Sequence, residues 1–192
     1  MPLVSKLEKA DKDARLMLAY TRGDTGAFET LYGKHKDALY RYFLRQCGNQ
    51  ALAEELYQEV WIRVIKARET YKHKAKFTTW LYRIAHNILI DYFRKPAGQN
   101  DEDIDTQGIP ANASNDPDVI LGSQEKIQRF RVQLETLPKE QREVFLLKEE
   151  AGLSLEDIAL TTGDSFETVK SRLRYAISKL KQSLQCDEDD EQ

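Results

Sequence analysis

The segment from Phe166 to Leu184 carries residue types that can read a nucleic acid. On a helical wheel at about 100° per residue, one side is apolar and predicts a buried stripe. That stripe consists of Phe166, Val169, Leu173, Ala176, Leu180 and Leu184. The opposite side presents Glu167, Ser171, Arg174, Tyr175 and Ser178, flanked by Lys170, Lys181, Arg172 and Lys179. Such a face fits a major groove, where central side chains read base edges and flanking cations meet phosphates. The solvated face of an ordinary amphipathic helix has the same composition.

The residues before this segment predict a helix-turn-helix. Ser154 and Asp157 are spaced as a capping box for a short helix that Gly163 ends. Asp164 and Glu167 are predicted to cap the next helix in the same way, after a turn of about three residues. The caps and the turn favour DNA binding more strongly than the charges do.

A second basic region, from Trp61 to Lys95, holds nine Lys or Arg residues against Glu69 and Asp91. Its aromatic residues are Tyr71, Phe77, Trp80, Tyr82, Tyr92 and Phe93. Aromatic rings among cations suit single-stranded nucleic acid, because unstacked bases lie on the rings while the backbone follows the positive charge. Alternatively, the rings belong to a helical core stripe of Phe77, Trp80, Ile84 and Ile88. We expect Trp80, Leu81, Ile84 and Ile88 to be mostly core, and Tyr71 to lie with Lys72 to Lys76 in a connecting loop that disfavours burial.

Composition places the chain among globular proteins. The 192 residues are 41% hydrophobic and 32% charged, with a formal net charge of -3. No run of about eighteen apolar residues is present, and the N-terminal segment mixes charges with its apolar residues, so neither a membrane span nor a secretory signal is predicted. Cys47 and Cys186 lie far apart without a CxxC pair, which suits free thiols and a cytoplasmic location.

Helical periodicity runs through residues 13 to 95 and returns after about residue 122, and no segment alternates long enough to predict a strand. We therefore predict an all-α protein of two small helical domains. Residues 98–122 are rich in Gly, Pro, Asn and Asp, and the seven acids between Gly98 and Glu125 predict an acidic flexible linker. The predicted boundaries are 13–97, 98–122 and 123–184, followed by a disordered acidic tail over 185–192.

An enzyme is an alternative function of a different class, and it would require catalytic motifs in the sequence. The sequence has no HExxH, paired-Cys motif, Gly-rich phosphate loop or nucleophile elbow. The acids at Asp101, Asp103 and Asp105 have calcium-loop spacing, but Thr106 stands where that loop needs Gly. We predict no enzyme activity, no cofactor and no metal site.

Three stretches together carry a resemblance to a known family. They read AEELYQEVWIRVIKARETY at 53–71, FTTWLYRIAHNILIDYFRK at 77–95 and LETLPKEQREVFLLKEEAGLSLEDIALTTGDSFETVKSRLRYAISKL at 134–180. In this order the chain resembles a sigma-70 family RNA polymerase sigma factor of the two-domain extracytoplasmic-function group. The resemblance covers roughly residues 13 to 184 and implies a transcription initiation factor with a role in stress response.

The resemblance also implies partners and sites. The helix matching 51–67 would dock on the β′ clamp helices of core RNA polymerase through Glu54, Glu55, Gln58 and Glu59, although a solvated helix face has similar residues. The C-terminal domain would contact the β flap. Promoter DNA would be melted and a base captured at the minus-10 element by Tyr71, Lys72, Lys74, Lys76, Trp80, Arg83 and Asn87. The minus-35 duplex would be read by Glu167, Lys170, Ser171, Arg172, Arg174 and Tyr175.

Members of the family are commonly held inactive by an anti-sigma factor, so such a partner is expected. Glu167 stands where many relatives have a small residue, and its carboxylate could accept from cytosine or cap the helix. The competing binding-module interpretation is an ordinary helix-turn-helix regulator with a partner-binding N-terminal domain, which needs no polymerase to recognise DNA.

Overall fold

A computed structural model describes residues 11–94 and 128–189, with side chains to residue 182. Every long regular element in these ranges is an α-helix, which confirms the predicted all-α class. The linker predicted over 98–122 and the side chain of Leu184 lie outside the described residues. Across 11–94 and 128–189, no helix combines the length and apolar character that crossing a bilayer requires.

Four helices and one short turn form the N-terminal domain. They are α1 (Lys12–Thr21), α2 (Thr25–Cys47), α3 (Gln50–Lys66), a 3-10 helix (Ala67–Thr70) and α4 (Phe77–Arg94). Asp24 begins α2 by accepting from the backbone N–H of Ala27 at 3.1 Å. Gly48 ends α2 in the left-handed region at φ 66°, where a residue without Cβ is favoured.

The core of this domain lies where α2 packs on α1 and α3, and where α4 packs on α3. Helix α3 buries an apolar stripe of residues spaced by four, with Val60 and Val64 at 0% exposure. Leu31, Leu39 and Phe43 of α2 are also fully buried, whereas Phe28 is partly buried against Tyr20. Each such side chain contributes roughly 1.5–3 kcal/mol by leaving water.

Four helices form the C-terminal domain: α5 (residues 128–135), α6 (Lys139–Glu149), α7 (Leu155–Thr162) and α8 (Phe166–Asp189). Pro138 stands at the N-cap of α6. The backbone of α8 continues to Asp189, five residues into the tail predicted to be disordered.

The helix-turn-helix forms with the predicted caps of its first helix, Ser154 and Gly163, but with a different cap on its second helix. Ser154 caps α7 by accepting from the Asp157 N–H at 3.1 Å, and its hydroxyl donates to Asp157 Oδ2 at 2.9 Å. The same carboxylate also accepts from Lys76 and Thr79 of the other domain. The prediction that Asp164 caps α8 was wrong, since Ser165 accepts from the Thr168 N–H at 3.1 Å.

The apolar stripe of α8 is confirmed in part. Val169 and Ala176 are fully buried and Leu180 is 5% exposed. Phe166 is 39% exposed, so its assignment to the buried stripe was wrong. It is the first residue of the helix, beside the turn, where fewer neighbouring side chains can cover it.

The two domains contact each other through three carboxylates spaced seven residues apart. Helix α4 packs against α7, and α2 packs against α6. The carboxylates belong to Glu143, Glu150 and Asp157. On the N-terminal domain, Glu143 binds Tyr42 and His86, Glu150 binds Arg41 and Arg45, and Asp157 binds Lys76 and Thr79. This contact is therefore held by hydrogen bonds and ion pairs.

Candidate nucleic-acid interface

A cavity of about 440 Å³ opens between the loop at 71–76 and the first turns of α4. Five of the seven residues predicted for the minus-10 site line it: Tyr71, Lys72, Lys74, Trp80 and Arg83. The lining also includes Thr79 of α4 and Leu160 of α7. Sequence reasoning missed both. Thr79 resembled an ordinary helix residue, and nothing in the sequence placed Leu160 beside the other domain.

Tyr71 is buried, at 8% exposure, so the prediction that it lies in a loop that disfavours burial was wrong. Its ring meets that of Trp80 edge to face, with centroids 4.9 Å apart at 71°. The hydroxyl finds no hydrogen-bond partner among the described residues. Burial, reinforced by the charge of Asp11, raises the pKa of Tyr71, so the ring stays neutral. The pair Tyr71–Trp80 forms an aromatic wall in the cavity.

The cations around this cavity do not all face the same way. Lys72, Lys74 and Arg83 are exposed and line it. The Lys76 ammonium instead donates to Asp157 Oδ2 at 2.7 Å and is committed to the interdomain contact. Asn87 is exposed and lies seven residues after Trp80, two turns along the same face of α4 and outside the cavity lining.

A second, smaller hollow of about 310 Å³ lies on the exposed face of α8. Four of the six residues predicted for the minus-35 site line it: Glu167, Lys170, Ser171 and Arg174. The ammonium of Lys170 is 3.9 Å from the Glu167 carboxylate, and both side chains are well exposed, so water weakens this pair. The hollow therefore presents the Ser171 hydroxyl, the Glu167 carboxylate and two cations over about two helical turns.

The other predicted residues of α8 divide between this face and the domain's own structure. Tyr175 is 55% exposed, and the Arg174 guanidinium lies 5.2 Å from its ring centroid. Arg172 is paired with Asp164 at the turn. The flanking cation Lys179 donates to the Thr136 carbonyl at 2.7 Å, so it ties α8 to the end of α5. Fewer cations of α8 are therefore free to contact DNA than the helical wheel predicts, because Arg172 and Lys179 are bonded within the domain.

The acidic face predicted on α3 is present on the surface. Glu54, Glu55 and Gln58 are exposed, and Glu59 accepts from the Arg63 guanidinium at 2.8 Å. Ile62, which is 43% exposed, extends this face by one turn and was not anticipated. An exposed isoleucine beside carboxylates gives the surface an apolar element as well as charge.

Comparison with known proteins identifies the family. The model of sigma-70 region 2 matches residues 31–98, and that of sigma-70 region 4 matches residues 127–180. The chain is 31% identical to the ECF RNA polymerase sigma factor SigE of Mycolicibacterium smegmatis over 183 residues, covering 93% of this chain and 70% of that protein. It is 32% identical to the ECF RNA polymerase sigma factor SigW of Bacillus subtilis over 171 residues, covering 85% and 91%. The chain belongs to the sigma-70 family of RNA polymerase sigma factors. Within that family it is a member of the extracytoplasmic-function group.

Solved structures show the same fold. CnrH in complex with the cytosolic domain of CnrY superposes with a TM-score of 0.69 at 22% identity, covering 92% of this chain and 99% of CnrH. The sigma factor RpoE of Bartonella quintana, in complex with the anti-sigma factor NepR, gives a TM-score of 0.68 at 22% identity, covering 83% and 98%. The protein is thus a transcription initiation factor that works with RNA polymerase, and it is not an enzyme.

Proposed function

We propose that this sigma factor directs core RNA polymerase to promoters by reading the minus-35 element as duplex and opening the minus-10 element with capture of a base. The observation that carries the proposal is the presence of two different basic surfaces in one chain. One is an exposed polar helix face, and the other is an aromatic cavity edged by lysines. Duplex and single-stranded DNA require these two kinds of surface.

Helix α8 supplies the duplex contact. Arg174 and Ser171 share the hollow with Lys170, so hydrogen-bonding groups lie within reach of one or two base pairs. The Arg174 guanidinium can donate two hydrogen bonds to a guanine, while Lys170 meets a phosphate. Arg172, paired with Asp164, instead fixes the start of the helix.

The cavity at α4 supplies the contact with the opened strand. The edge-to-face pair Tyr71–Trp80 offers an apolar wall on which an unstacked base can lie, and Lys72 and Lys74 stand at its rim to meet the backbone. Asn87, two turns further along α4, reads the polar edge of a base. Inside a duplex these groups have nothing to bind, because the faces of each base are covered by its neighbours.

The acidic face of α3 supplies the contact with the polymerase core. Glu54, Glu55 and Gln58 are exposed and Glu59 is partly exposed, which suits a basic partner such as the β′ clamp helices. The exposed Ile62 adds an apolar anchor at the edge of this charge pattern. The C-terminal domain contacts the β flap.

Promoter binding requires the domains to separate. The two promoter elements are about 25 base pairs apart, and at ~3.4 Å per base pair this is about 85 Å of duplex. Domains in direct contact cannot reach both. The 33 residues between 94 and 128 can span about 110 Å when extended, so the chain is long enough.

We also propose that the chain binds an anti-sigma factor and acts in the cytoplasm, where RNA polymerase works. The support is the similarity of its fold to RpoE, which was solved with the anti-sigma factor NepR. Elution of the chain and a regulator from its own cells as one complex that releases polymerase would support this part of the proposal.

The experiment that tests the promoter mechanism begins with the complex of the chain and core polymerase. Promoters are selected by this complex from a random-sequence library, and the strongest is used for permanganate footprinting. Asn87→Ala and Tyr71→Ala should still form closed complexes on the duplex but few open ones. Tyr71→Phe is the matched control, because it keeps the ring and removes a hydroxyl that has no partner within the described structure.

A template already unpaired at the minus-10 element separates the roles of the two residues. Transcription should recover more for Tyr71→Ala, whose ring serves as a wedge, and less for Asn87→Ala, which reads the base. Equal yields of open complex from Tyr71→Ala and the parent on duplex DNA would contradict the proposal and leave Tyr71 as a packing residue.

A further inference from the structure

One carboxylate begins two helices of the N-terminal domain. Asp11 Oδ1 accepts from the backbone N–H groups of Asp13 at 3.0 Å and Ala14 at 3.1 Å, which caps α1. Asp11 Oδ2 accepts from the N–H of Phe77 at 2.7 Å. Phe77 is the first residue of α4, 66 positions further along the chain.

This second bond compensates for a missing local cap on α4. The Trp80 N–H donates to the Lys76 carbonyl at 3.0 Å, so Lys76 occupies the N-cap position. Its side chain is a cation, which cannot accept a hydrogen bond and is unfavourable beside the positive end of a helix. The Asp11 carboxylate supplies the missing acceptor and negative charge from a different helix.

His73, in the middle of the loop at 71–76, lies against the same carboxylate. Its side chain is 3% exposed, and its Nε2 atom is 3.7 Å from Asp11 Oδ2. Neither ring nitrogen has a hydrogen-bond partner in the described part of the chain. The neighbouring Lys72 and Lys74 point outward, and the Lys74 N–H donates to the Lys72 carbonyl at 2.8 Å. The loop is therefore held on its inner side by a histidine and shows its cations on the outer side.

We infer that Asp11, with His73 packed against it, positions the loop at 71–76 and the first turn of α4 for strand opening. This inference rests on the proposed function of the cavity. We propose no DNA contact for Asp11 itself. It lies upstream of residue 31, where the match to the region 2 family model begins. Its effect passes through Phe77 to the turn that carries Trp80, and through His73 to the loop that carries Tyr71 and Lys72.

Asp11→Asn tests this role because an amide has one oxygen where a carboxylate has two. Asparagine can still cap α1, but its NH2 group then faces the Phe77 N–H, and the link to α4 is lost. Asp24→Asn is the matched control. Asp24 caps α2 with one oxygen, so asparagine can replace it there.

The expected result is a separation of binding from opening. With the parent's selected promoter, Asp11→Asn should give closed complexes with unchanged affinity and about tenfold fewer open complexes. Most of the loss should be recovered on the template unpaired at minus-10. Hydrogen exchange should become faster at the Phe77 amide but not within α1. Asp24→Asn should behave as the parent does in every assay.

A second variant keeps the test decisive if Asp11→Asn melts below the assay temperature. His73→Leu removes both ring nitrogens while filling similar space, and it should also lower the yield of open complexes on duplex DNA. Parent-like open-complex yields in both variants would overturn the inference if Tyr71→Ala still fails to open the promoter. If Tyr71→Ala also opened the promoter normally, the proposed function of the cavity itself would be wrong.

Discussion

Asp157 is the residue whose substitution should most clearly loosen the contact between the domains. Its Oδ2 atom accepts from the Lys76 ammonium at 2.7 Å and the Ser154 hydroxyl at 2.9 Å, and its Oδ1 atom accepts from the Thr79 hydroxyl at 3.0 Å. The first and last of these bonds cross between domains. In Asp157→Asn, one oxygen remains for three donors and the charge that attracts the lysine is gone.

The expected loss is about 2 kcal/mol of interdomain free energy. A hydrogen bond to a charged group contributes roughly 1.5–3 kcal/mol when it is buried, which applies to Thr79 at 2% exposure. The Lys76 side chain is 52% exposed, so its ion pair adds about 0–1 kcal/mol at most. A loss of 2 kcal/mol lowers the ratio of closed to open chains about thirtyfold.

Small-angle X-ray scattering measures this change as an increase in the radius of gyration, and hydrogen exchange measures it at the start of α4. Glu156→Gln is the matched control, because Glu156 lies in the same first turn of α7 and is exposed. It removes the same charge from the same helix end, so any helix-dipole effect is common to both variants. An unchanged radius and unchanged exchange in Asp157→Asn would refute the argument that this carboxylate holds the domains together.

The response to pH gives an independent check. Burial alone would raise the pKa of Asp157, but the hydrogen bonds from Lys76, Ser154 and Thr79 outweigh it and lower the pKa. Because the pKa is depressed in the closed form, the carboxylate favours closure at all pH values above about 4 and stops doing so as the pH falls through the lowered pKa. The parent should therefore remain closed at pH 5, and the part of its acid opening that is due to Asp157 should be missing in Asp157→Asn, which keeps only the Glu143 and Glu150 carboxylates at this contact.

Other groups lead to predictions with separate readouts. Burial lowers the pKa of His35, so the free energy of unfolding should fall as the pH drops below about 6.5. In urea titrations, His35→Gln should make the free energy of unfolding less dependent on pH. An equally steep pH dependence in the variant would exclude His35 as its source. Arg174→Ala should relax sequence preference at one or two upstream positions and cost ~1–3 kcal/mol, whereas Lys181→Ala should weaken all sequences alike and reduce the salt slope by about one in mobility-shift titrations. Unaltered preference in Arg174→Ala would mean that another face of α8 reads DNA. Glu55→Lys should weaken core polymerase binding by a few kcal/mol in surface plasmon resonance. Glu29→Lys, an equal charge reversal at an exposed position of α2, should leave this binding unchanged.

Local signals in the sequence predicted much of the fold, because helices depend on neighbours three and four residues away. The helical periodicity of residues 13 to 95 correctly predicted the helices of the N-terminal domain. The helix-turn-helix was also predictable, since its caps lie within three residues of the backbone groups that they satisfy. The cap of α8 was assigned to Asp164 instead of Ser165 because Asp164, one position earlier, has an equally good capping side chain.

The positions of the candidate site residues were harder to predict, because their partners lie far along the chain. Lys76 looked like a DNA-binding cation, and Asp157 looked like half of a capping box, yet they are 81 residues apart and bind each other. Tyr71 follows a short 3-10 helix and precedes three lysines, a pattern typical of an exposed loop. Its burial depends on Trp80 and on the approach of Asp11, neither of which periodicity reveals.

The polar character of the interdomain contact explains how a closed chain can still serve as an initiation factor. Glu143, Glu150 and Asp157 hold the domains with hydrogen bonds and ion pairs, whose net contributions are about 1 kcal/mol each after water is displaced. Six such bonds cross the contact and sum to about 6 kcal/mol, and two partners that each bind only the separated domains at 100 times their dissociation constants together supply about 5.4 kcal/mol. Core polymerase and promoter together can therefore offset the polar contacts that hold the two domains in the closed chain.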